Sequence, residues 1–328
     1  MYANEKIETM SREELRSLQL ERLKKTVEWA YEKSAYYRQI FDRRNVKPND
    51  IQELEDIRKL PFLNLASLHR ADPLDVLTLP LSSVLRFSHD IDSNGEMTKL
   101  YTKGDIVQNV EMMTRCLIAA DVTKGSIVGV QGDLSDNMFL DVLYALESLG
   151  VTVVPLGTDY RKWLRMIELV SMDTLISTPQ LIMQLVIQLQ ATGKNIIDYP
   201  ISKVFCINTS NIQNPLQQHI QDRTQSTVYN MYAPPELGFA GMLYQCSERT
   251  GLHLQEDCYL AELLHFDSEE VLTENDRMGE LVITTLTAQA MPLIRYRTGQ
   301  AVRRMSDSCK CGRTFIRIAT PYTRSNHP

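Results

Sequence analysis

The chain has 328 residues, 43% of them hydrophobic and 23% charged, which is enough apolar material for one large domain or two smaller ones. A formal net charge of −6 excludes the broadly basic surface that nonspecific nucleic-acid binding or adhesion to anionic membranes requires, so neither partner is expected. Met1-Tyr2-Ala3-Asn4-Glu5-Lys6 has no apolar signal core, and no window approaches the roughly 18 uninterrupted apolar residues of a membrane span, so a cytoplasmic location is expected.

Residues 12–41 set Leu15, Leu18, Leu20, Leu23, Val27, Ala30 and Tyr31 at helical spacing among Arg, Lys and Glu, which predicts an amphipathic helix. A turn-rich stretch, Asn45-Val46-Lys47-Pro48-Asn49-Asp50, then leads through Leu54-Glu55-Asp56-Ile57 to Leu60-Pro61-Phe62, read as connecting structure with short helices. From about residue 104 the periods alternate. Helices are predicted near 105–120, 137–149, 160–171 and 180–192, interleaved with the apolar runs Ile127-Val128-Gly129-Val130, Val151-Thr152-Val153-Val154-Pro155, Thr174-Leu175-Ile176-Ser177 and Lys203-Val204-Phe205-Cys206-Ile207. That interleaving predicts an α/β domain with a largely parallel sheet. Beyond residue 240 strands dominate, with Leu260–Phe266 and Gly279–Leu286 flanking the turn Glu274-Asn275-Asp276-Arg277. The expected layout is a helical and connecting region over 1–100, an α/β subdomain over 101–230, and a smaller β-rich subdomain over 231–328.

Of the six cysteines, Cys116 and Cys206 lie in apolar runs and read as small buried hydrophobes, while Cys246, Cys258, Cys309 and Cys311 invite chemistry. Arg295, Arg297, Arg303, Arg304, Lys310, Arg313, Arg317 and Arg324 face a single acid, Asp307, in their stretch. Two readings stay open: a solvated basic face paired to the acidic body, or a surface for an anion or a protein partner.

The order of segments resembles the phenylacetate-CoA ligase branch of adenylate-forming enzymes over nearly the whole chain. The anchors are Ala35-Tyr36-Tyr37-Arg38, Leu60-Pro61-Phe62, Leu149–Pro155, Ser177-Thr178-Pro179, Gly251-Leu252-His253, Gly279-Glu280-Leu281, Pro292–Gly299 and Cys309-Lys310-Cys311-Gly312-Arg313. The resemblance implies the large domain of that fold, with parallel-rich sheets, helices and a β-rich subdomain. It further implies ATP-dependent activation of an aryl or acyl carboxylate to an acyl-adenylate with Mg²⁺, followed by thioester formation with CoA. Homodimerisation is a further expectation. Tyr322–Pro328 resembles the hinge that precedes the family's C-terminal lid, with Asn326 near the usual aspartate, so the lid and its lysine are expected to be absent.

The resemblance also implies site residues, several of them altered. The phosphate-binding pattern S-S-G-T-T-G-x-P-T falls on Asp90–Thr98, where Gly95 and Thr98 match and Ser93 offers a hydroxyl, but Asp90, Asp92 and Glu96 bring three acids. A carboxylate about 5–6 Å from a phosphate charge costs roughly 3 kcal/mol at an effective dielectric near 20, before screening. A solvated acidic hairpin and metal-assisted phosphate binding are the two readings of that segment. The adenine-contact segment falls on Cys206-Ile207-Asn208-Thr209. Tyr232-Ala233-Pro234-Pro235-Glu236 keeps the carboxylate that relatives place near Mg²⁺ and phosphate, although Glu236 can equally be a surface acid. Arg297 is a candidate catalytic residue, and Gln300 stands where an aspartate normally accepts both ribose hydroxyls, a geometry one amide oxygen reproduces only in part. Gln131–Asn137, expected to help line the acid pocket, departs from the family's aromatic and glycine-rich pattern, so the carboxylate is not identified. Impaired adenylation follows, leaving a carboxylate-, adenylate- or partner-binding protein; a split ligase completed by a separate lid and a structural interaction subunit are the alternatives.

Cys246, His253, Cys309 and Cys311 together resemble the structural zinc site found in part of the family. Three thiolates and an imidazole complete a tetrahedral Zn²⁺ shell. The competing reading is two surface thiols beside a hydrogen-bonded core histidine, with Cys258 as the nearest substitute ligand.

Overall fold

A computed structural model describes residues 1–92, 95–209, 211–266 and 268–319. Ser93, Asn94 and the hinge-like segment with Arg324 and Asn326 lie outside the described residues.

The N-terminal stretch opens with α1 (Glu5–Glu8) and α2 (Arg12–Lys33), which starts at a capping box: Ser11 accepts from the Glu14 N–H and the Glu14 carboxylate accepts from the Ser11 N–H. The single helix predicted over 12–41 is in fact two. Ser34 ends α2 in an extended conformation and caps α3 (Ala35–Arg43), its hydroxyl accepting from the Tyr37 N–H. Hydrophobic periodicity runs across the break because both helices turn their apolar faces to one core, and only the serine marks the join. Short helices α4 (Leu65–Arg70) and α5 (Pro73–Val76) follow, then the antiparallel hairpin of β1 (Arg86–Asp92) and β2 (Gly95–Tyr101), and α6 (Lys103–Ala119).

Next come β3 (Ile127–Val130), α7 (Asn137–Ser148), β4 (Thr152–Pro155), α8 (Tyr160–Leu169), β5 (Thr174–Ser177), α9 (Pro179–Ala191), β6 (Lys203–Asn208), α10 (Gln217–Thr224), β7 (Thr227–Tyr232), β8 (Leu243–Tyr244) and β9 (Leu252–Leu254). The parallel ladder runs β7-β6-β5-β3-β4, with β8 antiparallel on β7. Helices cover the parallel strands, so a strand such as β6 is buried at five consecutive positions, Val204 to Asn208, and its sequence reads as an apolar run. The last strands are β10 (Tyr259–Leu264), β11 (Met278–Thr285), β12 (Tyr296–Arg304) and β13 (Arg317–Ala319), antiparallel in that order.

The chain divides into two compact units. One comprises Asn109–His253 with Met1–Ala3; the other joins Asn4–Gln108 to the stretch from Leu254 onward. The first has a core of Trp163, Leu175, Ile182, Leu185, Val204 and Val228 between its sheet and helices. In the second, Leu23, Val27, Tyr37 and Phe41 of α2 and α3 pack with Ile51, Ile57, Leu286 and Ile294, so its two sequence-distant segments share one core. Among the described residues no helix is long and apolar enough to cross a membrane.

Candidate functional site

The candidate adenine-contact segment and the Tyr232 segment, 24 residues apart at their paired positions, meet at the carboxyl ends of adjacent parallel strands: Cys206, Ile207 and Asn208 are in register with Asn230, Met231 and Tyr232. That end of an open α/β sheet is where ligands commonly bind. The Asn208 amide donates to the Met231 carbonyl at 3.3 Å, tying the two strand ends together. Beyond Tyr232 the chain takes a 3₁₀ turn over Pro235–Leu237 and leaves through Gly238 at φ +59. The Asn137 amide holds this turn by donating to the Gly238 carbonyl at 2.6 Å and to the buried Asp141 carboxylate at 3.1 Å. Tyr232 is buried, and that burial pushes its phenol above the ordinary value, with the nearby Glu236 charge adding to the rise. Glu236 itself is half-buried.

Gln131 sits at the carboxyl end of β3, where the chain's next strand lies on one side and the one after that on the other. Its N–H donates to the Ile176 carbonyl and its carbonyl accepts from the Ser177 hydroxyl. At Gly132 a Cβ would meet the Phe139 ring at 2.3 Å, so that ring occupies the space a side chain would take.

The phosphate-loop candidates lie on the β1–β2 hairpin, with Asp92 paired to Gly95 and Asp90 to Met97. Thr98 is opposite His89, its hydroxyl 2.9 Å from the ring Nδ1, and the exposed Glu96 reaches within 3.9 Å of the same ring. Arg297 and Gln300 share β12. The Arg297 guanidinium is taken by Glu280 on β11, its Nε at 3.2 and 3.1 Å from the two carboxylate oxygens, and this pairing raises the guanidinium further above its already high value. In the sequence Glu280 stands out only as part of the anchor Gly279-Glu280-Leu281, because its pairing with Arg297 depends on the register of β11 and β12. Gly299, at φ +67, turns the strand between them, and the Gln300 N–H donates to the Thr298 hydroxyl at 3.2 Å.

Of the four candidate zinc ligands, Cys246 and His253 lie in the first compact unit and Cys309 and Cys311 in the second. Three thiolates and one imidazole are by their chemistry a donor set suited to tetrahedral Zn²⁺. The first three residues are buried and the fourth is half-buried. Local backbone explains the presentation of Cys309 and Cys311: the Gly312 N–H donates to the Cys309 carbonyl at 3.1 Å, and Gly312 adopts φ +84, which other residues enter only with strain. Behind the turn, Arg313 forms an ion pair with Glu8, Nε to Oε2 at 2.6 Å, with side chains 2% and 0% exposed. His253 lies beside the Tyr244 ring, with centroids 5.7 Å apart.

Comparison with known proteins gives phenylacetate-coenzyme A ligase of Thermus thermophilus, 30% identical over 324 residues, covering 97% of this chain and 72% of the relative. The chain belongs to the phenylacetate-CoA ligase family. The enzyme of the same name from Escherichia coli is 30% identical over 317 residues, covering 95% of this chain and 72% of the relative. No protein-family model matches. Among solved structures, an open conformation of 2-hydroxyisobutyryl-CoA ligase in complex with 2-HIB-AMP and CoA superposes with a TM-score of 0.88 at 18% identity, covering 96% of this chain and 76% of that one. A long-chain-fatty-acid-CoA ligase from Archaeoglobus fulgidus gives 0.53 at 11% identity, covering 74% and 52%. These likenesses establish the mixed α/β fold of the adenylate-forming CoA ligases, a family in which ATP, a carboxylate and CoA are the substrates.

Within this family member the basic C-terminal run is largely neutralised. Arg295 binds Glu262 at 2.9 Å, Arg297 binds Glu280, Arg303 binds Asp276 at 3.2 Å, Arg313 binds Glu8 and Arg317 binds Asp307 at 2.8 Å. Cys258 points its thiol at the Asp257 carboxylate, 3.4 Å away.

Proposed function

We propose that this protein is a phenylacetate-CoA ligase-family domain with impaired ATP-dependent adenylation, which retains a carboxylate- or adenylate-binding crevice and a structural zinc centre. The observation that carries this reading lies in the sequence of the β1–β2 segment: Asp90, Asp92 and Glu96 stand where the family's pattern has small and hydroxyl residues. Acids there oppose a triphosphate, while Gln300 offers a single acceptor oxygen to a ribose. The register of Asn208 with Tyr232 supports retention of the crevice, since it keeps the two strand ends that relatives use for the nucleotide side by side.

Zinc held by Cys246, His253, Cys309 and Cys311 would supply cross-linking, because four protein ligands leave no open position for a reacting water. Around it, the Gly312 turn and the Glu8–Arg313 pair preset the positions of the last two thiols.

Titration calorimetry with ATP·Mg²⁺ and with AMP, followed by carboxylate-dependent pyrophosphate exchange over a panel of aromatic acids, tests the reading. Binding of AMP with negligible exchange is expected. Robust exchange by the chain alone would refute impairment. A second reading is a split aryl- or acyl-CoA ligase, for which exchange would appear only on adding a separate lid domain. A protein partner docked on the C-terminal basic run is less favoured, because most of its arginines already hold carboxylates.

A further inference from the structure

We propose that the outer edge of β10 is a docking site for an extended acidic peptide segment, which pairs its backbone with Ala261 and sets carboxylates against Arg58 and Arg304. Strand β10 is the outermost of the β10-β11-β12-β13 order and is bonded to β11 along one side. Its alternation is fixed at both ends. The Leu286 N–H donates to the Cys258 carbonyl, so even-numbered residues turn their backbone groups toward β11. The Leu272 N–H donates to the Leu263 carbonyl at 2.7 Å and the Gln19 amide reaches the Tyr259 carbonyl at 3.5 Å, so odd-numbered residues face away. Ala261 lies midway and faces away by the same rule. Its N–H and C=O have no hydrogen-bond partner among the described residues.

A cavity of about 240 Å³ opens at this point, with Leu54, Ile57, Leu263 and Leu272 on its apolar floor. The rim is charged, and each rim carboxylate already has a cation: Glu55 is held by Arg16 at 2.7 Å, Glu262 by Arg295 at 2.9 Å and Glu274 by Arg277 at 2.6 Å. Two exposed rim arginines, Arg58 and Arg304, form no ion pair among the described residues. The carbonyl of Arg58 is pinned by the Arg295 guanidinium at 3.1 Å, so its backbone is fixed while its side chain remains available. The combination selects the ligand. An inorganic anion would use neither the apolar floor nor the Ala261 carbonyl, which would repel it. A second copy of this chain would bring the same positive rim against itself in a twofold contact. An extended segment alternating apolar and acidic residues satisfies all three features, with two main-chain bonds to Ala261, an apolar side chain on the floor and carboxylates on the arginines.

Fluorescence anisotropy on the full chain at low salt, with a labelled (Val-Glu)₃ peptide, tests this. The acidic peptide should bind and a (Val-Lys)₃ peptide should not. Arg58→Ala and Arg304→Ala should each weaken binding about tenfold. Ala261→Pro removes the outward N–H without touching the β10–β11 ladder and should abolish binding; the same peptide N-methylated at every residue should fail against the unaltered protein, which guards against a misfolded variant. Absence of binding at millimolar peptide, equal binding of the lysine peptide, or indifference to both Ala261→Pro and N-methylation would overturn the proposal. Concentration-dependent dimerisation lost in Ala261→Pro would also overturn it, in favour of a second copy.

Discussion

Replacing Glu8 by Gln should destabilise the protein far more than its place in a four-residue helix suggests. Glu8 and Arg313 are 0% and 2% exposed and share a 2.6 Å contact, so neither charge has water to fall back on. Gln is nearly isosteric and keeps an oxygen for the Asn4 N–H, which the Glu8 carboxylate now accepts at 2.8 Å. The change therefore isolates the loss of charge, leaving a buried guanidinium uncompensated at a cost of about 3–5 kcal/mol. Arg313→Met should cost a similar amount by stranding the carboxylate. Removing both leaves no buried charge, so the double variant should recover at least about 1.5 kcal/mol relative to the sum of the singles. Urea unfolding followed by circular dichroism on all four proteins measures this. A loss below about 1 kcal/mol for Glu8→Gln, or strict additivity in the double variant, would show that the pair is screened and the burial argument is wrong.

Elemental analysis of protein purified without chelator should give one zinc per chain, and Cys309→Ser should lower both metal content and thermal stability while Cys116→Ser lowers only the latter, and by less; substoichiometric zinc would remove the metal from the picture. Burial pushes the Cys206 thiol from an ordinary 9.0 up to about 12, so the folded state keeps a proton that the unfolded chain releases above about pH 9. The stability this contributes is complete below pH 9 and declines as pH rises toward 12; urea unfolding between pH 8 and 10.5 should show a smaller alkaline loss for Cys206→Ala, and parallel curves would count against it. Ser34→Ala removes a hydroxyl that caps α3 and donates to the Asp75 carbonyl at 2.6 Å, so a loss of roughly 1–2 kcal/mol is expected from chemical denaturation.

The parts of the fold legible in the sequence are those in which each residue's environment is set by its neighbours in the chain. Strands buried on both faces, such as Val204 to Asn208, announce themselves as apolar runs, and α7 and α9 follow their hydrophobic spacing. Cys246, His253, Cys309 and Cys311 are legible as a ligand set only through a resemblance, because the two pairs lie more than 50 residues apart in the chain. What stayed hidden depends on partners far along the chain. The run from Arg295 to Arg317 reads as a basic face until Glu262, Glu280 and Glu8 are seen to meet it. The break at Ser34 was invisible because periodicity reports which face is buried and says nothing about whether the backbone is continuous.

The segment Asn4–Gln108 completes its core with residues from Leu254 onward, and the whole of Asn109–His253 is made in between. At ribosomal rates of about 5–20 residues per second, the apolar faces of α2 and α3 wait roughly 12–50 s for Leu286 and Ile294. Asn109–His253 carries its own core and can condense during that interval. The N-terminal helices cannot, so during synthesis they are a sticky surface for which a chaperone is the natural temporary cover, and slowing translation before residue 254 should raise the aggregated fraction.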